Sequence, residues 1–102
     1  MKKQRKILSL ISKNKDLSDF EKKVYKTTLK IPAGQVRSYK WVAETMGKPN
    51  ASRAVGNALN KNPYPIFVPC HRVIKSDGSI GGFAGGSKAK KRLLTKEGVD
   101  YL

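Results

Sequence analysis

The sequence predicts a single small domain that is mainly α-helical and has a small β element. Apolar residues recur at helical spacing in several segments, and serines stand where three of these segments begin, in position to cap a helix. Extended character is confined to short stretches such as residues 35–37, and the apolar run 66–68 is expected to cross the core. A chain of 102 residues is long enough for one core at most.

Residues 1–17 are interpreted as a flexible basic leader, and residues 18–102 as the folded domain. The segment 1–16 holds six Lys and Arg residues and one weak apolar cluster, which is typical of a loosely attached terminus. We therefore expect ordered structure to begin near Ser18.

The first helix of the domain is predicted to begin after Ser18. Ser18 and Glu21 have the spacing of a capping box, in which each side chain satisfies a free backbone amide at the helix start. The helix should end before Pro32, because proline biases the preceding residue away from helical geometry. Its inward face follows helical spacing at Phe20, Val24 and Thr28.

Two short helices joined by a turn are predicted next. Ser38 can cap a helix over about 39–46, and a second helix spans about 51–60. Such a pair is a helix-turn-helix candidate. Between residues 22 and 76 the only acidic residue is Glu44, so a phosphate backbone could approach without strong repulsion. The predicted fold class is therefore a winged helix-turn-helix-like DNA-binding domain.

The C-terminal third alternates loops with one more helix. Residues 62–65 contain two prolines and should form a rigid loop, and the glycine-rich segment 81–86 allows a ligand to approach the backbone closely. Ser87 is expected to cap the last helix, about 88–97, and Gly98 to end it.

The charge balance indicates a polyanionic partner. With 22 Lys and Arg residues against 7 Asp and Glu residues, the formal net charge is +15, which favours nucleic acid over an anionic membrane surface.

The chain has no run of 18 apolar residues and no convincing secretory signal, so we expect a cytoplasmic protein without a membrane partner. One cysteine and one histidine exclude an internal disulfide and a four-ligand Cys/His zinc site, and we expect no metal and no cofactor.

Cys70 is the candidate nucleophile. A lone cysteine is more often a buried small apolar residue, but Cys70 follows Pro69, which fixes the backbone, and precedes His71-Arg72, two potential proton or charge partners. A thiol of ordinary pKa is mostly protonated at neutral pH, so it would need a base or the positive end of a helix. Direct contact between Cys70 and His71 would require a turn, a helix start or a bridging water, because neighbouring strand residues point to opposite faces.

Pro69-Cys70-His71-Arg72-Val73 resembles the active-site signature of the O6-alkylguanine-DNA alkyltransferases, also called methylated-DNA-protein-cysteine methyltransferases. The resemblance covers the C-terminal catalytic domain of that family, from about Phe20 to Gly98, in order and spacing. The other matching motifs are Ile31-Pro32-Ala33-Gly34-Gln35-Val36 with Ser38-Tyr39, Ser52-Arg53-Ala54-Val55-Gly56, Asn62-Pro63, Gly85-Gly86, and Leu93-Leu94 with Glu97-Gly98.

The resemblance implies DNA repair by direct reversal. A damaged guanine would be flipped from double-stranded DNA, and its alkyl group would pass irreversibly to Cys70. Each protein molecule would therefore react once, and we expect the protein to act as a monomer. By resemblance, His71 acts through a water as the base that forms the thiolate, Glu97 orients His71, and Asn62 supports the active-site turn. Without the resemblance, Glu97 would read as an exposed carboxylate at a helix end.

The resemblance also assigns residues that contact DNA. Tyr39 would crowd the phosphate of the target nucleotide and contact the flipped base, and Arg53 would enter the stack in the place of that base. Without the resemblance, Tyr39 would be interpreted as an aromatic residue packed in the core, and Arg53 as a solvated charge on a helix. The small residues Ala51, Ala54 and Gly56 would allow close approach to the minor groove.

The implied substrate pocket consists of Val73, Phe83, Ala84 and Gly85. The carbonyls of Cys70 and Val73 would accept from the guanine amino group, and the backbone amide of Ala84 would donate to the oxygen that loses its alkyl group. Phe83 stands where many relatives have tyrosine, so it keeps the ring and lacks the hydroxyl.

Two other functions fit part of the sequence. A non-catalytic, alkyltransferase-like lesion-binding protein would flip the same base without repairing it, but such proteins typically carry tryptophan where this chain has Cys70. A generic winged-helix DNA-binding module would explain the charge but not the catalytic set. Relatives commonly have a separate N-terminal domain, and residues 1–19 are too short to replace it.

Overall fold

The computed structural model describes residues 2–65, 67–81 and 86–99, with side chains described from Arg5 onward. It confirms a mainly helical chain with a small β element. The elements are α1 (Lys2–Lys13), α2 (Asp19–Thr28), β1 (Arg37–Ser38), α3 (Tyr39–Thr45), α4 (Ser52–Asn60), a 3-10 helix (Cys70–Arg72), β2 (Val73–Ile74) and α5 (Ser87–Lys96). Within these residues, no helix combines the length and the apolar character needed to cross a membrane.

Serine caps start the second and third helices as predicted. The Ser18 hydroxyl accepts from the amide of Glu21 at 3.0 Å, and the Glu21 carboxylate accepts from the amide of Ser18 at 2.9 Å, which completes a capping box. The Ser38 hydroxyl accepts from the amide of Trp41 at 2.9 Å. The prediction that Ser87 caps the last helix is wrong by one residue, because Gly86, with φ +91°, occupies the cap position and Ser87 is already helical.

The core is formed mainly by α2, α3 and α4. The phenol of Tyr25 on α2 is fully buried and donates to the carbonyl of Ala58 on α4 at 2.7 Å. Each fully buried aliphatic side chain contributes about 1.5–3 kcal/mol of transfer free energy. The large aliphatic side chains that are fully buried among the described residues are Ile11, Val24, Ile31, Val42, Val55, Val68, Val73 and Leu94.

Helix α1 differs from the loose leader expected for residues 1–17. Ile7 and Ile11, four residues apart, are buried in the core. Beyond the helix, the side-chain nitrogen Nδ2 of Asn14 donates to the Tyr64 hydroxyl at 2.8 Å. The expectation of a flexible segment is therefore wrong for α1, because an amphipathic helix can bury one narrow apolar stripe while its lysines stay in water.

The small sheet lies next to the cysteine. Strands β1 and β2 are parallel, with Arg37 opposite Val73 and Ser38 opposite Ile74. The apolar run 66–68 is not a strand in its described residues, where an isolated bridge links Pro65 and Val68. Since α3 starts directly after β1, this pairing brings the start of α3 beside the segment that carries Cys70.

Candidate active site

Cys70 begins the 3-10 helix Cys70–Arg72. The amide of Cys70 donates to the carbonyl of Val68 at 2.7 Å, and the amide of Arg72 donates to the carbonyl of Pro69 at 2.9 Å. A 3-10 helix has three residues per turn, so successive side chains diverge by about 120° rather than alternating as on a strand. Direct contact between Cys70 and His71 was expected to require a turn, a helix start or a bridging water, and the structure places a helix start at Cys70.

Asn62 braces the loop that leads to Cys70. Its amide nitrogen donates to the carbonyl of Val68 at 3.0 Å, and its oxygen accepts from the amide of Tyr64 at 2.8 Å. These contacts give Asn62 the means to support the turn, as the resemblance implies.

The thiol of Cys70 is buried, and burial raises its pKa. Asn62 and the Lys90 ammonium favour the thiolate, as do nearby backbone amides, but they do not outweigh desolvation. The resting thiol is therefore protonated at neutral pH. A nucleophilic reaction needs a base that removes this proton.

His71 can serve as that base. It is 2% exposed, and burial lowers its pKa, which the Glu97 carboxylate only partly offsets. Its Nε2 lies 3.1 Å from Oε1 of Glu97, in a contact too poorly aligned for a good hydrogen bond. Its Nδ1 has no hydrogen-bond partner among the described residues, so a neutral imidazole with its proton on Nε2 leaves Nδ1 as the acceptor.

Glu97 is shared between His71 and Arg72. It caps the C-terminus of α5, where the helix dipole disfavours a negative charge. Arg72 offsets this, because its Nε donates to Oε1 of Glu97 at 2.9 Å, and the contact lowers the pKa of the Glu97 carboxyl. The sequence interpretation noted Arg72 only as a potential charge partner; its place beside His71 is the signal that could have assigned it.

Lys90 is a site residue that the sequence interpretation missed. It is fully buried, and burial lowers its pKa to about 8. Its ammonium donates to the carbonyl of Val73 at 2.6 Å and lies 5.6 Å from the ring centroid of Tyr39. Lys90 stands four residues before the buried Leu94, and this inward register is the signal that could have found it within a strongly basic helix.

Tyr39 is the first residue of α3, one of the predicted DNA-binding helices, and it lies close enough to Cys70 to be influenced by its charge. Its hydroxyl contacts the Lys90 ammonium at 3.4 Å, and burial is the largest cause that raises its pKa. A Cβ added to Gly56 would lie 3.8 Å from the ring, whereas one added to Gly81 would lie 2.8 Å from the hydroxyl. The ring is thus packed closely against both glycine backbones.

The other predicted DNA contacts divide between surface and interior. Arg53 and Ala54 are exposed on α4 and available to a partner. Ala51 and Gly56 are half-buried, and Gly56 faces Tyr39. The structure therefore leaves Arg53 and Ala54 on the open face of the helix pair and turns Gly56 partly inward.

Only part of the predicted substrate pocket lies within the described residues. Val73 is buried, and its carbonyl already accepts from Lys90, which leaves one further lone pair. Phe83, Ala84 and Gly85 lie outside the described residues. Within the described part of the chain, no group of three or more His, Cys, Asp or Glu residues could hold a metal ion.

Comparison with known sequences identifies consistent relatives. The sequence model of a family described as "6-O-methylguanine DNA methyltransferase, DNA binding domain" matches residues 19–99. A methylated-DNA--protein-cysteine methyltransferase of Methanosarcina barkeri is 51% identical over 80 residues, which are 78% of this chain and 51% of the relative. One of Shigella flexneri is 51% identical over 83 residues, 81% of this chain and 48% of the relative. The chain thus spans about half the length of the curated relatives it matches.

Solved structures also resemble this chain. Mycobacterium tuberculosis OGT in complex with DNA matches with a TM-score of 0.79 and 46% identity, over 80% of this chain and 50% of that chain. S. pombe Atl1 in complex with damaged DNA containing O6-carboxymethylguanine matches with a TM-score of 0.73 and 38% identity, over 82% of this chain and 80% of that chain.

Proposed function

Because the chain belongs to the 6-O-methylguanine DNA methyltransferase family, we propose that it repairs double-stranded DNA by transferring the alkyl group of an O6-alkylated guanine to Cys70. The observation that carries the proposal is the grouping of a buried, protonated thiol with a base on one 3-10 turn. His71 is held in its neutral form by burial, and Glu97 lies 3.1 Å from it as a counter-ion.

The reaction follows from these protonation states. His71 accepts the thiol proton through a bridging water, and the resulting imidazolium is stabilised by Glu97. The Cys70 sulfur attacks the alkyl carbon, so that an S–C bond forms while the bond between that carbon and O6 breaks. The electron pair of the broken bond stays with guanine, which takes up a proton and returns to its normal form. The thioether on Cys70 does not regenerate, so each molecule reacts once.

Base flipping is proposed for the residues around α3 and α4. Unstacking a base costs a few kcal/mol, and a planar guanidinium from the exposed Arg53 can offset part of that cost by stacking in the vacancy. Tyr39, at the start of α3 and near Cys70, can contact the flipped nucleotide. Ala54 is exposed and Ala51 and Gly56 are half-buried, and because all three residues are small, this surface can approach the minor groove closely.

The pocket for the flipped base is proposed to include Val73 and the segment with Phe83, Ala84 and Gly85. A monomeric state, a cytoplasmic location and independence from cofactors stay predictions. The net charge of +15 would add nonspecific DNA affinity that falls steeply with salt.

A lesion-binding protein that does not react is the main alternative, because the Atl1 structure also matches. The thiol of Cys70 beside a neutral base favours transfer, since a protein that only bound the lesion would need neither.

Mass spectrometry separates these functions. The protein is incubated with an excess of duplex containing O6-methylguanine, and its intact mass and peptide map are measured. We expect one methyl group per molecule, on Cys70, and no further reaction. Folded but unmodified protein that still prefers the lesion would support the lesion-binding alternative, and protein without lesion preference would support the generic DNA-binding module.

A further inference from the structure

Arg72 joins two parts of the molecule beside the proposed base. Its Nε lies 2.9 and 3.2 Å from the two carboxylate oxygens of Glu97, and its Nη2 donates to Oε2 of the same group. Its Nη1 donates at 2.9 Å to the carbonyl of Ile31, just beyond the end of α2. The guanidinium is thus fixed at both ends, and its fork matches the carboxylate geometry.

The carboxylate that Arg72 holds is the one that approaches His71. Oε1 of Glu97 accepts from Nε of Arg72 and lies 3.1 Å from Nε2 of His71. An unpaired carboxylate at that distance would strongly favour the imidazolium. A permanent cation on the same carboxylate offsets that attraction and repels a second positive charge on the imidazole.

We propose that Arg72 is a positioning residue that keeps His71 neutral by balancing the charge of Glu97 while holding the carboxylate near Nε2. The inference rests on the proposed function, because an already protonated imidazole could not take the thiol proton of Cys70. When the proton does arrive, Glu97 is in place as its counter-ion. Arg72 therefore lowers the basicity of the resting base without removing the group that stabilises the product of proton transfer.

Charges from both sides of the imidazole agree with this arrangement. Lys90 on α5 and Glu97 at its C-terminal cap face His71 from one side. Arg72 lies on the same 3-10 turn as His71, and Cys70, with its thiol, directly precedes His71 in the chain. Burial lowers the pKa of His71, the Glu97 carboxylate raises it, and the cations of Arg72 and Lys90 lower it. If Arg72 is removed, only Lys90 remains of these two cations to oppose the attraction of the Glu97 carboxylate for a protonated His71.

The chain has a single histidine, so imidazole signals in an NMR titration belong to His71. The wild-type protein is compared with Arg72→Gln, which removes the charge, and with Arg72→Lys, which keeps the charge without the fork. Arg92→Gln is the matched control, because Arg92 is exposed on α5 and the substitution removes the same charge away from the site.

We expect Arg72→Gln to raise the pKa of His71 by at least about one unit, as the loss of a nearby like charge should. Arg72→Lys and Arg92→Gln should leave that pKa within about 0.3 unit of the wild-type value. An unchanged or lower pKa in Arg72→Gln overturns the proposal. Should Arg72→Gln fail to fold, Arg72→Met, which also removes the charge, replaces it: a rise of about one unit in the pKa of His71 supports the proposal, and an unchanged pKa overturns it.

The rate of methyl transfer in a single turnover gives a second readout. At pH values below the pKa of His71 in Arg92→Gln, Arg72→Gln should react about tenfold more slowly than that control for each unit by which the His71 pKa rises, and it should recover at higher pH, because the neutral fraction of His71 sets the rate. If the transfer rate declines at the same low pH in Arg72→Gln as in Arg92→Gln, the proposal is overturned. If the wild-type protein transfers no methyl group, the proposed function fails, whereas the NMR titration still tests Arg72 independently.

Discussion

Replacing Lys90 by methionine tests how the buried cation beside the thiol affects stability. The Lys90 side chain is fully buried, its ammonium donates to the Val73 carbonyl, and burial lowers its pKa from 10.5 to about 8. Unfolding returns the amine to water and to its ordinary pKa. Between the two pKa values the folded protein has released a proton that the unfolded chain still holds. Raising the pH therefore stabilises the folded state.

The magnitude follows from the separation of the two pKa values. A difference of about 2.5 units, at about 1.4 kcal/mol per unit, corresponds to about 3.4 kcal/mol. About 2.5 kcal/mol of this is gained between about pH 7 and about pH 10, because the unfolded amine begins to lose its own proton near the upper limit. Methionine has a similar length and does not titrate, so the wild-type protein should gain this amount relative to Lys90→Met.

Urea unfolding at the two pH values measures the effect. The free energy of unfolding of the wild-type protein minus that of Lys90→Met should rise by about 2–3 kcal/mol from about pH 7 to about pH 10. Contributions from tyrosines and from the net charge cancel largely in this difference. Lys91→Met, at an exposed position next to Lys90, is the control and should show a change below about 0.5 kcal/mol. A difference for Lys90→Met that stays constant or falls with pH would refute the reasoning.

Three further predictions concern the packing of α1, the contact between Gly81 and Tyr39, and base flipping. Ile11→Ala should cost about 2–5 kcal/mol in urea unfolding and the exposed Leu10→Ala less than about 1 kcal/mol, whereas similar costs would mean that α1 is not packed. Gly81→Ala should lower the melting temperature more than Gly78→Ala, because both have positive φ but only Gly81 meets Tyr39; equal losses would exclude the contact as the cause. Arg53→Ala should slow repair of duplex more than reaction with free O6-alkylguanine base, and equal slowing would remove Arg53 from base flipping.

Elements with local signals could be predicted from the sequence. The capping box of Ser18 and Glu21 and the cap of Ser38 depend only on residues within one turn, and both occur as predicted. Residues around Cys70 were also recognisable, because the motif is contiguous. The cap at Gly86 was missed by one residue, since a glycine with positive φ and a serine are competing signals for the same helix start.

Features that depend on distant contacts could not be predicted in the same way. Arg72 and Glu97 are 25 residues apart, and their ion pair arises only when the end of α5 packs against the 3-10 helix. Lys90 stands in a run of cations, most of which are solvated, and its burial follows from the register of α5. Helix α1 was mistaken for a leader because its many lysines outweigh two core isoleucines in any average over the segment.

The most direct test of the central claim is the number of guanines restored per protein molecule. Duplex containing O6-methylguanine is incubated in excess with the wild-type protein and with Cys70→Ala, and the nucleosides are quantified after digestion. If Cys70 is the acceptor and the thioether is permanent, the wild-type protein restores one guanine per molecule and then stops, while Cys70→Ala restores none. Restoration by Cys70→Ala, continued turnover, or no restoration by the folded wild-type protein would contradict the mechanism.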